Sequence, residues 1–215
     1  MRNLIAALFL ISSMARAEVV ELTKENSHVF YGEVTNDSVN DAIIALSKPE
    51  VKYLVLTSPG GDVDAGNRLI SWLPNKPNLI CIANFAASMA FSTLQACPTR
   101  YVVGSSIIMQ HQMSIAIGPL PLTQFDTMYK GILRSAKIAY KREAKRLGLT
   151  LNQYLDKIQS DFWMFTGEDA VNQRAADKVV MVRCSTEMLT AVGSYDTMTI
   201  LGPVTSSFPL CPSLR

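Results

Sequence analysis

Histidine and net charge are both scarce in this chain. Two histidines, His28 and His111, stand among 215 residues, and the formal net charge is +2. A balance so close to neutral supplies no bulk field for nucleic acid, and none is expected as a partner. Internal repeats and low-complexity blocks are missing, which removes repeat arrays from consideration. Neither G-x-x-x-x-G-K-S/T nor G-x-G-x-x-G occurs. The common phosphate- and dinucleotide-binding loops are therefore absent, and neither cofactor nor metal is expected.

Long apolar runs are also few. One opens the chain in "MRNLIAALFLISSMARA", where Arg2 precedes the run Leu4 to Ile11 and Ala15-Arg16-Ala17 follows it. This is the pattern of a secretory signal peptide over residues 1–17, cleaved after an A-x-A-like site. The alternative is a membrane anchor, but the run falls short of the roughly 18 residues a spanning helix needs. The mature protein is thus expected to be exported, to the periplasm or beyond. The remainder is rich enough in hydrophobic residues (48% overall) to bury the core of one globular domain.

Export gives meaning to the four cysteines, Cys81, Cys97, Cys184 and Cys211. Four cysteines allow three pairings, and sequence does not choose among them. The local pairs Cys81–Cys97 and Cys184–Cys211 are preferred, with buried free thiols as the alternative for the first.

Element patterns alternate. "SHVFYGEV" (Ser27 to Val34) reads as a strand and "NDSVNDAIIALSK" (Asn36 to Lys48) as an amphipathic helix with an Asn/Asp/Ser start signal. "VKYLVLTS" and "LICIAN" are apolar on both faces, as buried parallel strands are. Helices are expected over Val63 to Leu73 and Ser88 to Ala96, then strands over "RYVVG" and "SIIMQHQ". A long helix runs from Thr123, in the capping box "TQFD", to about Leu147. Further helices start in the capping boxes "TLNQ" at Thr150 and "TGED" at Thr166, and "DKVVMVR" closes with a strand. The alternation predicts an α/β domain with a parallel sheet and right-handed crossovers over residues 18–184. Residues 185–215 are read as a C-terminal extension stapled by the second disulfide.

The long helix carries Lys130, Arg134, Lys137, Lys141 and Lys145 on one face, with only Glu143 opposing them in that segment. The plain reading is a solvated face. The sharper one is a contact surface for anionic lipid at a membrane or for an acidic partner.

Chemistry gathers at three places. Ser88 lies between a buried strand and a helix start, where backbone N–H groups have no partner and can hold an oxyanion. Alone, such a serine is more often a helix cap. "SPGGD" follows another buried strand, and its glycines let the backbone approach a ligand closely. His111 ends "SIIMQHQ", where a general base could meet the serine. His28 has no catalytic company.

In order and approximate spacing, "SPGGDVDAG", "AASMA" and "SSIIMQHQ" resemble the Clp protease proteolytic subunit family, of the wider crotonase-like fold. The resemblance runs from about Tyr31 to Val182, and "FTGEDAVNQRAADKVV" is similar to the family's closing segment. It implies a parallel sheet flanked by helices, with a long helical insertion after the histidine strand. It also implies Ser88 as nucleophile, His111 as general base, and Gly61 and Met89 as backbone N–H donors of an oxyanion hole. Asp161 is the match for the third member, given one extra loop residue; Asp156 is the reserve, and a Ser–His dyad the simpler alternative. The chain departs from the family at Asn84-Phe85, Ala90 and Met113, where glycine, glycine and proline are usual.

These features predict an exported serine endopeptidase acting on peptides or unfolded segments without an ATP-driven unfoldase, and a homo-oligomer formed through residues 123–160. The alternative is a catalytically silent relative that serves as a binding or assembly module. An acyl-CoA enzyme of the crotonase fold needs no serine–histidine pair and fits less well.

Overall fold

A computed structural model describes residues 18–114, 118, 119, 121–159, 162–190, 192–199, 202–209 and 211. The expected signal segment, residues 1–17, lies outside them, as does Asp161. The chain opens with β1 (Glu18–Leu22), which the sequence pattern did not mark. It continues through β2 (Ser27–Val34), α1 (Asn36–Leu46), β3 (Tyr53–Gly61), α2 (Val63–Trp72), β4 (Ile80–Ala87), α3 (Met89–Ala96) and β5 (Thr99–Gln110). Then come α4 (Leu122–Leu147), α5 (Leu151–Gln159), β6 (Trp163–Thr166), α6 (Gly167–Asn172) and β7 (Lys178–Cys184). The extension forms α7 (Thr186–Leu189) and an antiparallel hairpin, β8 (Val192–Thr199) with β9 (Gly202–Pro209).

Six strands pair in parallel in the order β1-β7-β5-β4-β3-β2, and β6 joins β5 antiparallel. This is the mixed α/β architecture expected, consistent with the Clp protease-like fold. The central strands are buried on both faces. On β3, Leu54 and Leu56 enter the core under the helices, while Val55 packs into a second cluster with Val20, Ile82, Val103 and Val182 on the other face. Cys184 and Cys211 belong to that second cluster.

Three local expectations need correction. "RYVVG" and "SIIMQHQ" are one strand, β5, and it ends at Gln110 rather than Gln112. Its first part lies between β4 and β7; from Ile107 onward β6 takes the place of β7. The register with β4 slips across residues 103–106, so a period-2 pattern was broken without ending the strand. Secondly, Thr123 does not cap α4: the N-cap is Pro121, and no side chain caps it. Thirdly, α1 is capped by Thr35, in a reciprocal box with Ser38. The box at Thr150 is present, with its hydroxyl accepting from the Gln153 N–H at 3.2 Å. At Thr166 the hydroxyl instead donates to Asp169 at 2.7 Å.

Both local disulfides are formed, Cys81–Cys97 and Cys184–Cys211, leaving no free cysteine among the described residues. The first ties β4 to the end of the helix that follows it, within the core. Replacing Cys81 and Cys97 together by Ala is expected to cost about 3 kcal/mol, the chain-entropy value for a loop of that length. A lowered urea midpoint would register it; an unchanged midpoint would contradict a stabilising bridge.

His28 is partly buried on β2. Burial holds its imidazole below the ordinary value, with Asp41 opposing and Lys48 adding to the shift. Near pH 6.5 the unfolded chain takes a proton that the native state resists. Its contribution to stability is therefore complete above about pH 6.5 and declines below it. His28→Gln is expected to flatten the fall of Tm between about pH 7 and pH 5; identical slopes would contradict this.

Candidate active site

Ser88 is the single residue between β4 and α3. Its N–H donates to the Met109 carbonyl at 2.9 Å, extending the β4–β5 ladder one step past the Ala87–Met109 pair. His111 follows two residues after Met109. The two side chains therefore emerge at the carboxyl ends of adjacent parallel strands, the usual place for a site in an open α/β sheet.

The backbone at Ser88 is strained. Its φ of 53° and ψ of −117° lie outside the regions that L residues favour, at a cost of about 1–3 kcal/mol. The capping role is ruled out for its side chain, which makes no hydrogen bond to the helix it precedes. A strained strand-to-helix turn that presents a free hydroxyl is the geometry of a nucleophile elbow. Ser88 and His111 line one cavity of about 30 Å³ together with Asn67, Met113 and Tyr140. It has room for one or two waters. No hydrogen bond joins the Ser88 hydroxyl to the imidazole among the described residues; such contacts are commonly loose before substrate binds.

Met89 begins α3, so its N–H has no partner within the helix. The glycine pair ending β3 lies against this turn. A Cβ on Gly60 would sit 2.8 Å from the Met89 nitrogen, 2.8 Å from the Ser88 Cβ and 2.7 Å from the Ala87 oxygen. Gly60 also holds φ at +94°. Gly61, the residue named from sequence, sits against Val34 of β2, 2.6 Å from its oxygen by the same construction. Gly60 was missed, although "SPGGD" contained it.

Asp161 lies outside the described residues, but the ring of its neighbour Phe162 meets the His111 ring edge-on at 5.9 Å. The chain at Phe162 thus lies beside the imidazole. Asp156, the reserve, is exposed on α5 and does not line the cavity.

Sequence reading also missed a buried polar cluster in the wall of the cavity, formed around Ser92, Gln110 and Glu143. Glu143 is fully buried, on the inner face of α4. Its carboxylate accepts from Ser92 Oγ at 2.7 Å, from Gln110 Nε2 at 2.8 Å, and from the Tyr154 hydroxyl. Arg142 Nη2 stands 3.9 Å away. Burial, then the Glu143 charge, pushes the Tyr154 phenol well up, which keeps it a donor. One turn earlier on α4, the Tyr140 hydroxyl accepts the Met113 N–H at 2.7 Å. Burial raises the Tyr140 phenol as well. In one dimension Glu143 looked like a lone acid on a basic helix. The signal that could have found it is its spacing from Ala136, Tyr140 and Leu147 on the apolar face.

A family model described as Clp protease matches residues 11–183. The chain belongs to the Clp protease family. No curated protein matches it. Membership suggests a serine peptidase, and members of the Clp protease family are typically oligomeric proteins that degrade peptides. Among the described residues, no group of three His, Cys, Asp or Glu could hold a metal ion, and no helix is long and apolar enough to cross a membrane. Lys130, Arg134, Lys137, Lys141 and Lys145 are all exposed, and Lys130 pairs with Asp126 rather than with Glu143.

Gly60→Ala should press directly on the Ser88 turn. The expected result is a loss of about 1–3 kcal/mol in stability, measured by urea unfolding, together with loss of Ser88 reactivity toward acylating reagents. Wild-type stability and reactivity in this variant would contradict the close approach.

Proposed function

We propose that the protein is an exported, ATP-independent serine endopeptidase in which Ser88 attacks a peptide carbonyl, His111 takes its proton, and Asp161 orients the imidazole. The observation that carries this reading is Ser88 itself: a strained turn residue whose hydroxyl caps nothing and which lines a cavity shared with a histidine. Strain of this kind persists where the surrounding structure enforces it, and it clusters at active sites. The N–H groups of Met89 and Gly61 then stabilise the tetrahedral oxyanion, and loss of such a donor typically costs about 10²–10³ in rate. The imidazolium returns its proton to the leaving amine, and water repeats the sequence on the acyl-enzyme.

A wider groove of about 910 Å³ continues from Met113 and Tyr140 between α4 and α5, lined also by Leu133, Leu151 and Leu155. Its volume and mixed lining suit an extended peptide or unfolded segment. The two disulfides favour an oxidising compartment, in keeping with the signal-like N-terminus. Leu122, Phe125, Tyr129 and Leu133 are exposed on the first half of α4. That apolar row supports a homo-oligomer formed through residues 123–160, which light scattering should detect as a mass above that of one chain.

The test is covalent labelling with a fluorophosphonate. One label per chain is expected on Ser88, abolished by Ser88→Ala and slowed at least about 10³-fold by removing His111. An unlabelled wild-type protein across neutral pH would overturn the peptidase reading in favour of a silent binding module.

A further inference from the structure

The buried Glu143 carboxylate touches all three elements that the peptidase reading depends on, and the role argued for it rests on that reading. Ser92 lies one turn after Ser88 on α3, and its N–H donates to the Ser88 carbonyl at 3.1 Å. Gln110 immediately precedes His111. Tyr154 stands on α5, which leads to the segment beside the imidazole. We propose that Glu143 is a positioning residue, fixing the His111 turn against the Ser88 helix through Gln110.

The chemistry of the contacts gives the direction of control. A carboxylate only accepts hydrogen bonds. Its Oε2 therefore requires the NH₂ end of the Gln110 amide, at 2.8 Å. That leaves the amide oxygen facing the other way, where it accepts the backbone N–H of His111 at 3.1 Å. The same NH₂ lies 3.3 Å from Ser92 Oγ, whose own proton goes to Glu143 Oε1 at 2.7 Å. A neutral amide at position 143 would impose no such polarity: either end could face Gln110, and the Gln110 amide could turn over. The backbone at His111 would then lose its acceptor in part of the population. A buried network is sensitive to such a change because an unmade hydrogen bond costs more in a low-dielectric interior.

Glu143 does not touch the reacting atoms; it acts through Gln110. The distinction is measurable. Two readouts are needed: the fluorophosphonate labelling rate of Ser88 per folded molecule, and hydrogen–deuterium exchange at the His111 amide. Exchange of the β7 amides serves as the reference for global stability. In Glu143→Gln, labelling should slow by about 10²-fold, the usual cost of a small misplacement at a reacting centre. Exchange at His111 should rise while β7 stays protected. Gln110→Ala should do the same, and combining both substitutions should slow labelling no further than the slower single variant. Should Glu143→Gln fail to fold, Gln110→Ala and Ser92→Ala carry the exchange comparison in its place. Unchanged exchange at His111 in the folded variants, or losses that multiply in the double variant, would overturn the proposal. If wild-type Ser88 does not label, the peptidase reading falls, yet exchange at His111 still decides whether Glu143 holds the turn.

Discussion

One backbone hydrogen bond, from the Ser88 N–H to the Met109 carbonyl, determines where the site lies. It carries the β4–β5 ladder one residue beyond the last strand pair, so α3 must begin from a residue still held in sheet register. The chain has no slack in which to relax, and Ser88 takes a positive φ. The same bond brings the end of β5 alongside, and His111 arrives next to Ser88 without any contact between their side chains being needed. Small residues make this geometry feasible: Ala86, Ala87 and Ala90 are all nearly or fully buried around the turn, and Gly60 lets β3 come within van der Waals distance of it.

The second layer is polar rather than apolar. A fully buried carboxylate is costly unless its hydrogen bonds are made, and here three donors from α3, β5 and α5 make them. The Arg100 cluster illustrates the same principle at the far end of α3. Arg100 is buried, pairs with Asp177 at 2.5 Å and reaches Gln95 Oε1 and the Arg174 carbonyl. Burial alone would raise the Asp177 carboxyl, but the bonds and charge of Arg100, with Arg146, hold it below the usual carboxylate range. Glu143 thus pins α3 near its start, through Ser92, and Arg100 pins its last turn, through Gln95. The Cys81–Cys97 bridge adds a covalent tie just beyond that turn. The helix behind Ser88 is consequently a stiff support.

Much of the fold was legible because its strongest elements are locally consistent. β2, α2 and α5 carry period, caps and boundaries that agree, and the strands β3 and β4 read as apolar on both faces because both faces are covered. What escaped had a physical reason. β5 slips register against β4 at residues 103–106, which splits its pattern in two. β6 is only four residues long, and its partner is chosen by tertiary contact. Glu143 was read by charge, as one acid against a row of lysines, when its helical position put it inside. Ser88 and His111 were legible as a pair, while the stress on the Ser88 backbone was not, since φ is set by the ladder rather than by the side chain.

The central claim is that Ser88 is a nucleophile poised beside His111 with the Met89 N–H at the developing oxyanion. It is tested most directly by a crystal structure of the protein after reaction with a fluorophosphonate. Continuous density is expected from Ser88 Oγ to phosphorus, with the phosphonyl oxygen about 2.7–3.1 Å from the Met89 nitrogen. His111 is expected within hydrogen-bonding distance of the adduct. An adduct on another residue, or a Ser88 adduct whose oxygen points away from Met89, would contradict the claim.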